Sequence, residues 1–138
     1  MSKEYNIKAI QDTHGNEFIL LNPPKEKIIS YDIEDCVSFE SFYNHCHILD
    51  NIKNKNLSQV IEKAKSCGQS FYQILKRDFP KKKFLIFATI SDSLIIRFHQ
   101  KWSGETSYCN PDDFQNSNEI VIMFDTDKEI DDFVISRM

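Results

Sequence analysis

One stretch constrains the fold more than any other, namely residues 83–102, KFLIFATISDSLIIRFHQKW. Two apolar runs flank a Ser-Asp-Ser turn, which is the pattern of a β-hairpin. The first run is apolar on both faces, as in a covered central strand. In the second run Arg97, His99 and Lys101 share one face, because side chains alternate along a strand. The rest of the chain must pack on this pair of strands or extend it.

Apolar residues recur at helical spacing over residues 57–78. Asn56 and Gln59 resemble a capping box at the start of this helix. Pro80 ends the helix, because the residue before a proline disfavours helical angles. Gly68 in the interior costs about 1 kcal/mol relative to alanine. This glycine therefore indicates a kink or a close packing contact.

The sequence predicts two further helices. One starts at Ser38, where an apolar stripe at spacings of three or four residues continues to Leu49. The other follows Thr126, which forms a capping box with Glu129, and its apolar edge falls within residues 130–134.

Three more strands are predicted outside the central pair. Residues 5–10 and 17–21 form a hairpin around Gly15, because Gly and Asn accept positive φ angles at little cost. Residues 119–124 form another covered strand. The sequence thus predicts a single domain, residues 1–138, of the α+β class: an antiparallel sheet of about five strands with two to three helices packed mainly on one face.

Cysteine usage and hydropathy indicate the cellular setting. The cysteines have no paired spacing, so we expect free thiols in a reducing compartment. No apolar stretch is long enough to span a membrane, and the N-terminal residues lack a signal-peptide pattern. We therefore expect a cytoplasmic protein that does not bind membranes. The four cysteines are Cys36, Cys46, Cys67 and Cys109.

The net charge of −4 is unevenly distributed along the chain. Residues 1–101 hold 15 basic and 12 acidic side chains, a balance of +3. Residues 102–138 hold 2 basic and 9 acidic side chains, a balance of −7. Such an acidic end disfavours nucleic acid and attracts a basic partner. Solubility alone is the alternative explanation.

The tripeptide His45-Cys46-His47 contains residue types that bind zinc. The two histidines would share a face only on a strand, whereas this segment is predicted to be helical. We therefore expect Cys46 to face the core between flanking histidines. Neither a metal nor another cofactor is expected.

Arg97, His99 and Lys101 are the strongest candidates for chemistry. A histidine between two cations would have a lowered pKa and could act as a base, while the cations could hold a phosphate. No carboxylate or second histidine is placed to complete such a site, and no phosphate loop or other catalytic motif occurs. The sequence therefore predicts no catalytic residues and no enzyme activity. A small phosphate-directed hydrolase or nuclease using His99 is the alternative.

Aromatic and acidic residues are concentrated after the central hairpin. In protein interfaces, aromatic anchors supply contact area, while charges speed encounter and select the partner. The pattern predicts a surface for a basic protein, and the alternative is a core tryptophan beneath a solvated acidic loop. The candidate partner-binding residues are Trp102, Glu105, Tyr108, Asp112, Asp113, Asp127, Glu129, Asp131 and Asp132.

Residues 95–114, IIRFHQKWSGETSYCNPDDF, resemble a segment of the immunity proteins of bacterial contact-dependent growth inhibition and related polymorphic toxin systems. The resemblance implies a protein that binds and neutralises one cognate toxin C-terminal domain, often a nuclease, inside the producing cell. It also implies that an acidic surface covers a basic active-site cleft of the toxin. It assigns no individual residues, so the candidate surface rests on charge and aromatic placement.

Overall fold

The computed structural model describes residues 5–23, 35–108 and 119–136. Within these residues the chain forms seven strands and two α-helices, with a short 3-10 turn at Ile52–Asn54. The strands are β1 (Ile7–Gln11), β2 (Glu17–Leu21), β3 (His45–Leu49), β4 (Phe84–Ile90), β5 (Leu94–Gln100), β6 (Ile120–Asp125) and β7 (Val134–Ser136). The helices are α1 (Cys36–Tyr43) and α2 (Leu57–Asp78).

Five strands form one antiparallel sheet in the order β3-β5-β4-β6-β7. The hairpin pattern of the sequence is confirmed, since β4 and β5 pair along their whole length, from Phe84↔Gln100 to Ile90↔Leu94. β6 pairs along the other side of β4. The predicted α+β class with a five-stranded antiparallel sheet is therefore confirmed. Its two outer strands, β3 and β7, are not among those that the sequence pattern predicts.

The 22-residue helix α2 lies across one face of this sheet and has the predicted bounds. Asn56 caps the helix, and its side chain accepts a hydrogen bond from the Gln59 amide at 3.1 Å. The buried face of α2 packs with β4, β5 and β6 in the main hydrophobic core. A Cβ atom on Gly68 would overlap the ring of Phe124. The glycine therefore allows helix and sheet to pack closely.

The predicted helix over residues 38–49 is wrong in its second half. α1 ends at Tyr43, and the chain continues as β3, which pairs with β5. The strand is favoured because β5 has backbone groups along this edge that need partners. The alternation of Cys46 and Ile48 also fits a strand, and both side chains pack against the main core. The apolar residues of this short segment therefore fit both the spacing of a helix and the alternation of a strand.

The predicted C-terminal helix is also wrong. Thr126 does not cap a helix, because its hydroxyl accepts a hydrogen bond from the Phe84 amide at 2.9 Å and so extends the contact between β6 and β4. Turns and bends occupy residues 126–131, after which the chain pairs with β6 as β7. Ile130 and Phe133 still pack against the core, but they do so from irregular backbone.

The β1–β2 hairpin forms as predicted and is a separate two-stranded sheet. Gly15 has a φ of +82°, the left-handed conformation that the turn requires. The Asp12 carboxylate holds the turn by accepting hydrogen bonds from the amides of His14 and Asn16. The hairpin thus has its own local stabilisation.

The hairpin also contributes to two apolar clusters. Ile19 and Leu21 of β2 belong to the main core with α2. Phe18 and Leu20 point the other way and form a second cluster with apolar residues of α1 and with Trp102. β2 is therefore buried on both faces between the two helices.

Candidate functional site

Two polar side chains lie between the β1–β2 hairpin and the five-stranded sheet. One belongs to α1 and the other to the residue that directly follows this helix. Glu40 and Asn44 lie one helical turn apart and are both buried. Asn44 accepts a hydrogen bond from the Leu21 amide at 2.7 Å and donates one to the Ile19 carbonyl at 2.8 Å. Glu40 accepts from the Ile19 amide at 2.9 Å and from the Gln100 amide at 2.8 Å, bridging β2 and β5. We call Glu40, Asn44 and Gln100 the polar seam.

The Glu40 carboxylate is completely buried and well supplied with donors. It also accepts hydrogen bonds from Gln100 Nε2 and Trp102 Nε1, both at 2.7 Å. Burial raises the pKa of Glu40, because a charge is poorly solvated in the interior, whereas its hydrogen bonds act in the opposite direction. Glu40 has no exposed surface and therefore serves the fold.

Trp102 and Glu105, two of the predicted partner-binding residues, make contacts within the fold. The half-buried Trp102 ring packs on Phe18 with 5.2 Å between ring centroids. Glu105 accepts hydrogen bonds from the amides of Val37 at 2.8 Å and Cys36 at 3.2 Å. These are free donors at the start of α1, where a negative charge is also favourable to the helix dipole. Both side chains thus stabilise the position of α1.

His99 lies buried beneath the segment that follows β5. Its ring stacks on Phe87 with 5.7 Å between centroids. Nδ1 donates a hydrogen bond to the Gln100 carbonyl at 2.7 Å, and Nε2 accepts one from the Tyr108 amide at 3.0 Å. Burial lowers the pKa of His99, because the charged ring would be poorly solvated. Since both ring nitrogens are engaged and the residue is 1% exposed, His99 is inaccessible to a substrate.

The two cations beside His99 have separate environments. Lys101 contacts Asp125 at 2.7 Å and Asp127 at 2.8 Å. Partial burial disfavours the charged amine, but hydrogen bonds to these carboxylates raise the pKa of Lys101 overall. Arg97 lies over the Tyr108 ring, 5.0 Å from its centroid. The three basic residues of this strand face therefore do not converge on one point, and Asp127 is held in ion pairs.

Three predicted acidic residues lie together in the turn between β6 and β7. Glu129, Asp131 and Asp132, here called the acidic turn, are exposed, and no ion pair engages their carboxylates within the ranges that the structure describes. Beside them β7, an outer strand of the sheet, leaves Val134 and Ile135 each 39% exposed. Charged and apolar surface are therefore adjacent here. The remaining candidates Asp112 and Asp113, together with Cys109, lie outside the described residues.

His45 and His47 share a face because they lie on a strand, with 5.5 Å between their ring centroids. His45 Nδ1 donates to the Phe42 carbonyl at 2.6 Å, and His47 Nδ1 contacts Asp50 at 3.2 Å. Among residues 5–23, 35–108 and 119–136, no group of three or more metal-binding side chains is found. The cysteines in these ranges are free thiols: Cys36, Cys46 and Cys67.

A cleft of about 290 Å³ lies between α1 and the sheet face opposite α2. Phe42, at its side, is 69% exposed, which is unusual for a large aromatic residue. Ser41 is 3% exposed, and its hydroxyl has no hydrogen-bond partner in the described part of the chain. We call this site the α1 cleft. It is lined by Ser38, Ser41, Phe42, His45, Arg97 and Tyr108.

Sequence reasoning missed both the polar seam and the α1 cleft. Charged and amide residues are seldom buried, so Glu40 and Asn44 resemble surface positions. Their spacing of four residues is the available signal, because it places two polar side chains on one helical face. The partners of Glu40 on β2 and β5 lie 21 and 60 residues away, which leaves no local pattern.

Together these features define an α+β protein with a five-stranded antiparallel sheet, a helix across one face and a polar contact between its two sheets. A family model described as the Uncharacterized protein PM0498 family matches residues 4–136, and the chain belongs to this family. Neither the curated proteins nor the solved structures gave a significant match. None of the helices in the described residues has the length and apolar character that crossing a membrane requires.

Proposed function

We propose that this chain is an immunity protein that binds one cognate toxin domain in the cytoplasm of the producing cell and blocks its active site. The observation that carries the proposal is the acidic turn beside the exposed apolar residues of β7. Protein interfaces combine an apolar centre with charges that steer and select the partner. A toxin domain with a basic cleft, such as a nuclease, is the partner that best complements this surface.

The charge distribution supports the same partner. Residues 102–138 carry a balance of −7, which favours attraction of a basic protein. Part of this charge is neutralised within the fold, because Asp127 pairs with Lys101 at 2.8 Å and with Lys83 at 3.7 Å. The acidic turn carries charge that is not neutralised in this way, so we place the centre of the interface there.

Tight inhibition needs apolar contact as well as charge, because nanomolar affinity corresponds to about 12 kcal/mol. Val134 and Ile135 supply apolar surface, and the outer edge of β7 offers backbone groups for an added strand from the partner. Trp102 and Glu105 are engaged in the fold, so we expect them to contribute less to binding than the acidic turn does.

A phosphate-directed enzyme that uses His99 is less well supported. General-base catalysis requires a ring nitrogen within hydrogen-bond reach of the substrate. Both nitrogens of His99 are engaged within the fold, and Lys101 is paired with carboxylates. We therefore retain the binding function and assign no catalytic residue.

The first test is co-expression with the polypeptide encoded immediately upstream of this chain. We expect the protein to restore growth of cells that produce this polypeptide and to co-purify with it in a 1:1 complex. Absence of both rescue and complex would overturn the proposal for that pair. Rescue without a complex would argue against inhibition by direct binding.

The second test locates the interface by charge reversal. The double variant Asp131→Lys with Asp132→Lys should slow association with the toxin domain at low salt by about tenfold or more, because electrostatic steering accelerates association by 10–10³-fold. Stopped-flow association at several salt concentrations measures the effect. The matched control is Asp50→Lys with Asp92→Lys, which changes the net charge equally at exposed positions outside the acidic turn. Equal slowing in both variants would contradict the proposed interface.

A further inference from the structure

We propose that the α1 cleft binds a phosphate monoester that carries an aromatic group. This inference does not depend on the immunity function. The cleft is lined by residues of β3 and β5, near one edge of the sheet, whereas the acidic turn adjoins β7 at the opposite edge. The two sites can therefore be tested separately.

Local geometry brings polar donors to the cleft from two elements. Ser38 and Ser41 lie three residues apart on α1, so their side chains fall on one helical face. On the sheet, His45 of β3 lies directly opposite Arg97 of β5 in the antiparallel register. Such cross-strand neighbours project to the same side of the sheet. Two hydroxyls and a guanidinium therefore line one open cleft.

The Ser41 hydroxyl is the clearest indication that the cleft is a ligand site. It is buried and has no hydrogen-bond partner among the described residues. Most buried polar groups in folded proteins are paired, and an exception requires an explanation. Ser41 lines the cleft, so rotation of its side chain towards the cleft would bring this buried hydroxyl to an oxygen atom of a bound ligand, which would supply the partner.

Arg97 indicates that the ligand is an anion. Its guanidinium stacks on Tyr108 and pairs with no carboxylate in the described ranges. A guanidinium binds carboxylates and phosphates through two parallel hydrogen bonds. A carboxylate would use both of its oxygens on Arg97, whereas a phosphate keeps a third oxygen for Ser41. The donor set therefore favours phosphate over carboxylate.

The helix terminus is not the anion site. Asp35 caps α1 by accepting from the Ser38 amide at 2.6 Å, and Glu105 accepts from the two preceding amides. The free backbone donors that could bind a phosphate are thus already used. Side chains of the cleft must hold the ligand.

Two exposed aromatic rings account for the rest of the ligand. Phe42 is 69% exposed and Tyr108 is 40% exposed, and both line the cleft. The volume of the α1 cleft, about 290 Å³, exceeds the space that a phosphate alone needs. It is close to about 300 Å³, the lower end of the range for small-molecule sites. A flat group attached to the phosphate would cover these rings.

The test is titration calorimetry of the full chain with phenyl phosphate, adenosine 5′-monophosphate, inorganic phosphate and benzoate. We expect saturable binding of at least one aromatic phosphate, and weaker binding of both inorganic phosphate and benzoate. The tighter of the two aromatic phosphates shows whether the flat group lies next to the phosphate or beyond a sugar. Absence of saturable binding by both would overturn the proposal. Benzoate binding as tightly as phenyl phosphate would overturn the assignment to phosphate.

Two substitutions connect the binding to the cleft. Arg97→Gln and Ser41→Ala should each weaken the better aromatic phosphate by about tenfold, because each removes a hydrogen bond to a charged group. Ser41→Ala is the sharper variant, because removing an unpaired buried hydroxyl should leave thermal stability unchanged or higher. The matched controls Arg77→Gln and Ser66→Ala alter the same residue types on α2 and should leave affinity unchanged. Unchanged affinity in Ser41→Ala would contradict this site.

Discussion

The five-stranded sheet differs between the side that contains β5 and the side that ends at β7. The end of β5 contacts the β1–β2 hairpin through the polar seam, which is buried and whose polar atoms form hydrogen bonds. On the β7 side the outer strand has three residues, and the acidic turn beside it is exposed. The comparison shows that charge alone does not identify a binding surface. Glu40 is a carboxylate that holds the fold, whereas Asp131 is one that a partner can reach.

The largest effect should come from removing the acceptor at the polar seam. The Glu40→Ala substitution removes the carboxylate that accepts these hydrogen bonds. Each buried donor that is then left without an acceptor costs about 1–3 kcal/mol. We expect the free energy of unfolding to fall by at least about 3 kcal/mol, measured by urea denaturation. Trp102 donates to Glu40, so its fluorescence should also change in the folded state.

Glu62→Ala is the control for this substitution. Glu62 is an exposed carboxylate on α2 that contacts Lys65 at 3.3 Å. Its removal should change stability by less than about 0.5 kcal/mol, as is usual for surface positions. Similar losses in the two variants would contradict the structural role of the seam.

Packing beneath β6 should give the next largest effect. Gly68→Ala would place a methyl group against the buried Phe124 ring, and overpacking costs about 1–3 kcal/mol. Better helix propensity offsets about 1 kcal/mol of that cost. We expect a net loss in urea denaturation, with Ser66→Ala on the exposed face of α2 as the control. Greater stability in Gly68→Ala would mean that the ring moves aside easily.

The buried His99 should make stability depend on pH. Its pKa is lowered from the ordinary 6.5, so the folded protein binds fewer protons than the unfolded chain. The stabilisation is therefore complete above a pH of about 6.5 and is lost as the pH falls from there through the folded-state pKa. The difference in unfolding free energy between the natural chain and His99→Gln should shrink over this range. A difference independent of pH would contradict the burial of a neutral ring.

The smallest effect should come from the acidic turn. Asp131→Lys with Asp132→Lys should change the free energy of unfolding by less than about 0.5 kcal/mol, because surface substitutions away from packing contacts rarely do more. Thermal and urea unfolding check this expectation on the same protein used for the association measurements. A large loss of stability would show that the β7 side is as structural as the polar seam.

Local signals in the sequence predicted the central parts of the fold well. The hairpin of β4 and β5, the helix α2 and the first hairpin follow from alternation, helical spacing and a turn glycine. Gly68 was also informative, because a glycine inside a strong helix indicates close packing. These features depend on neighbouring residues, so they can be recognised without knowing the fold.

The outer strands and the sites depend on distant partners, which explains why they were missed. Residues 45–49 fit a helical stripe as well as a strand, and the edge of β5 decides between them. Thr126 resembles a helix cap in the sequence, but its hydroxyl accepts a hydrogen bond from the Phe84 amide. The predicted interface contains both exposed acids and residues such as Glu105 that serve the fold. Sequence spacing gives no means to separate the two kinds.

The position of Glu40 has a consequence for the order of folding. Its acceptor atoms join amides on β2 and β5, and the partners are 21 and 60 residues from Glu40. Contacts across long loops are slow to form, so α2 and the β4–β5 hairpin should assemble first and the β1–β2 hairpin should dock last. The amide protons of Ile19 and Gln100 should then exchange with solvent in one opening event. A single carboxylate would thereby make two sheets behave as one cooperative unit.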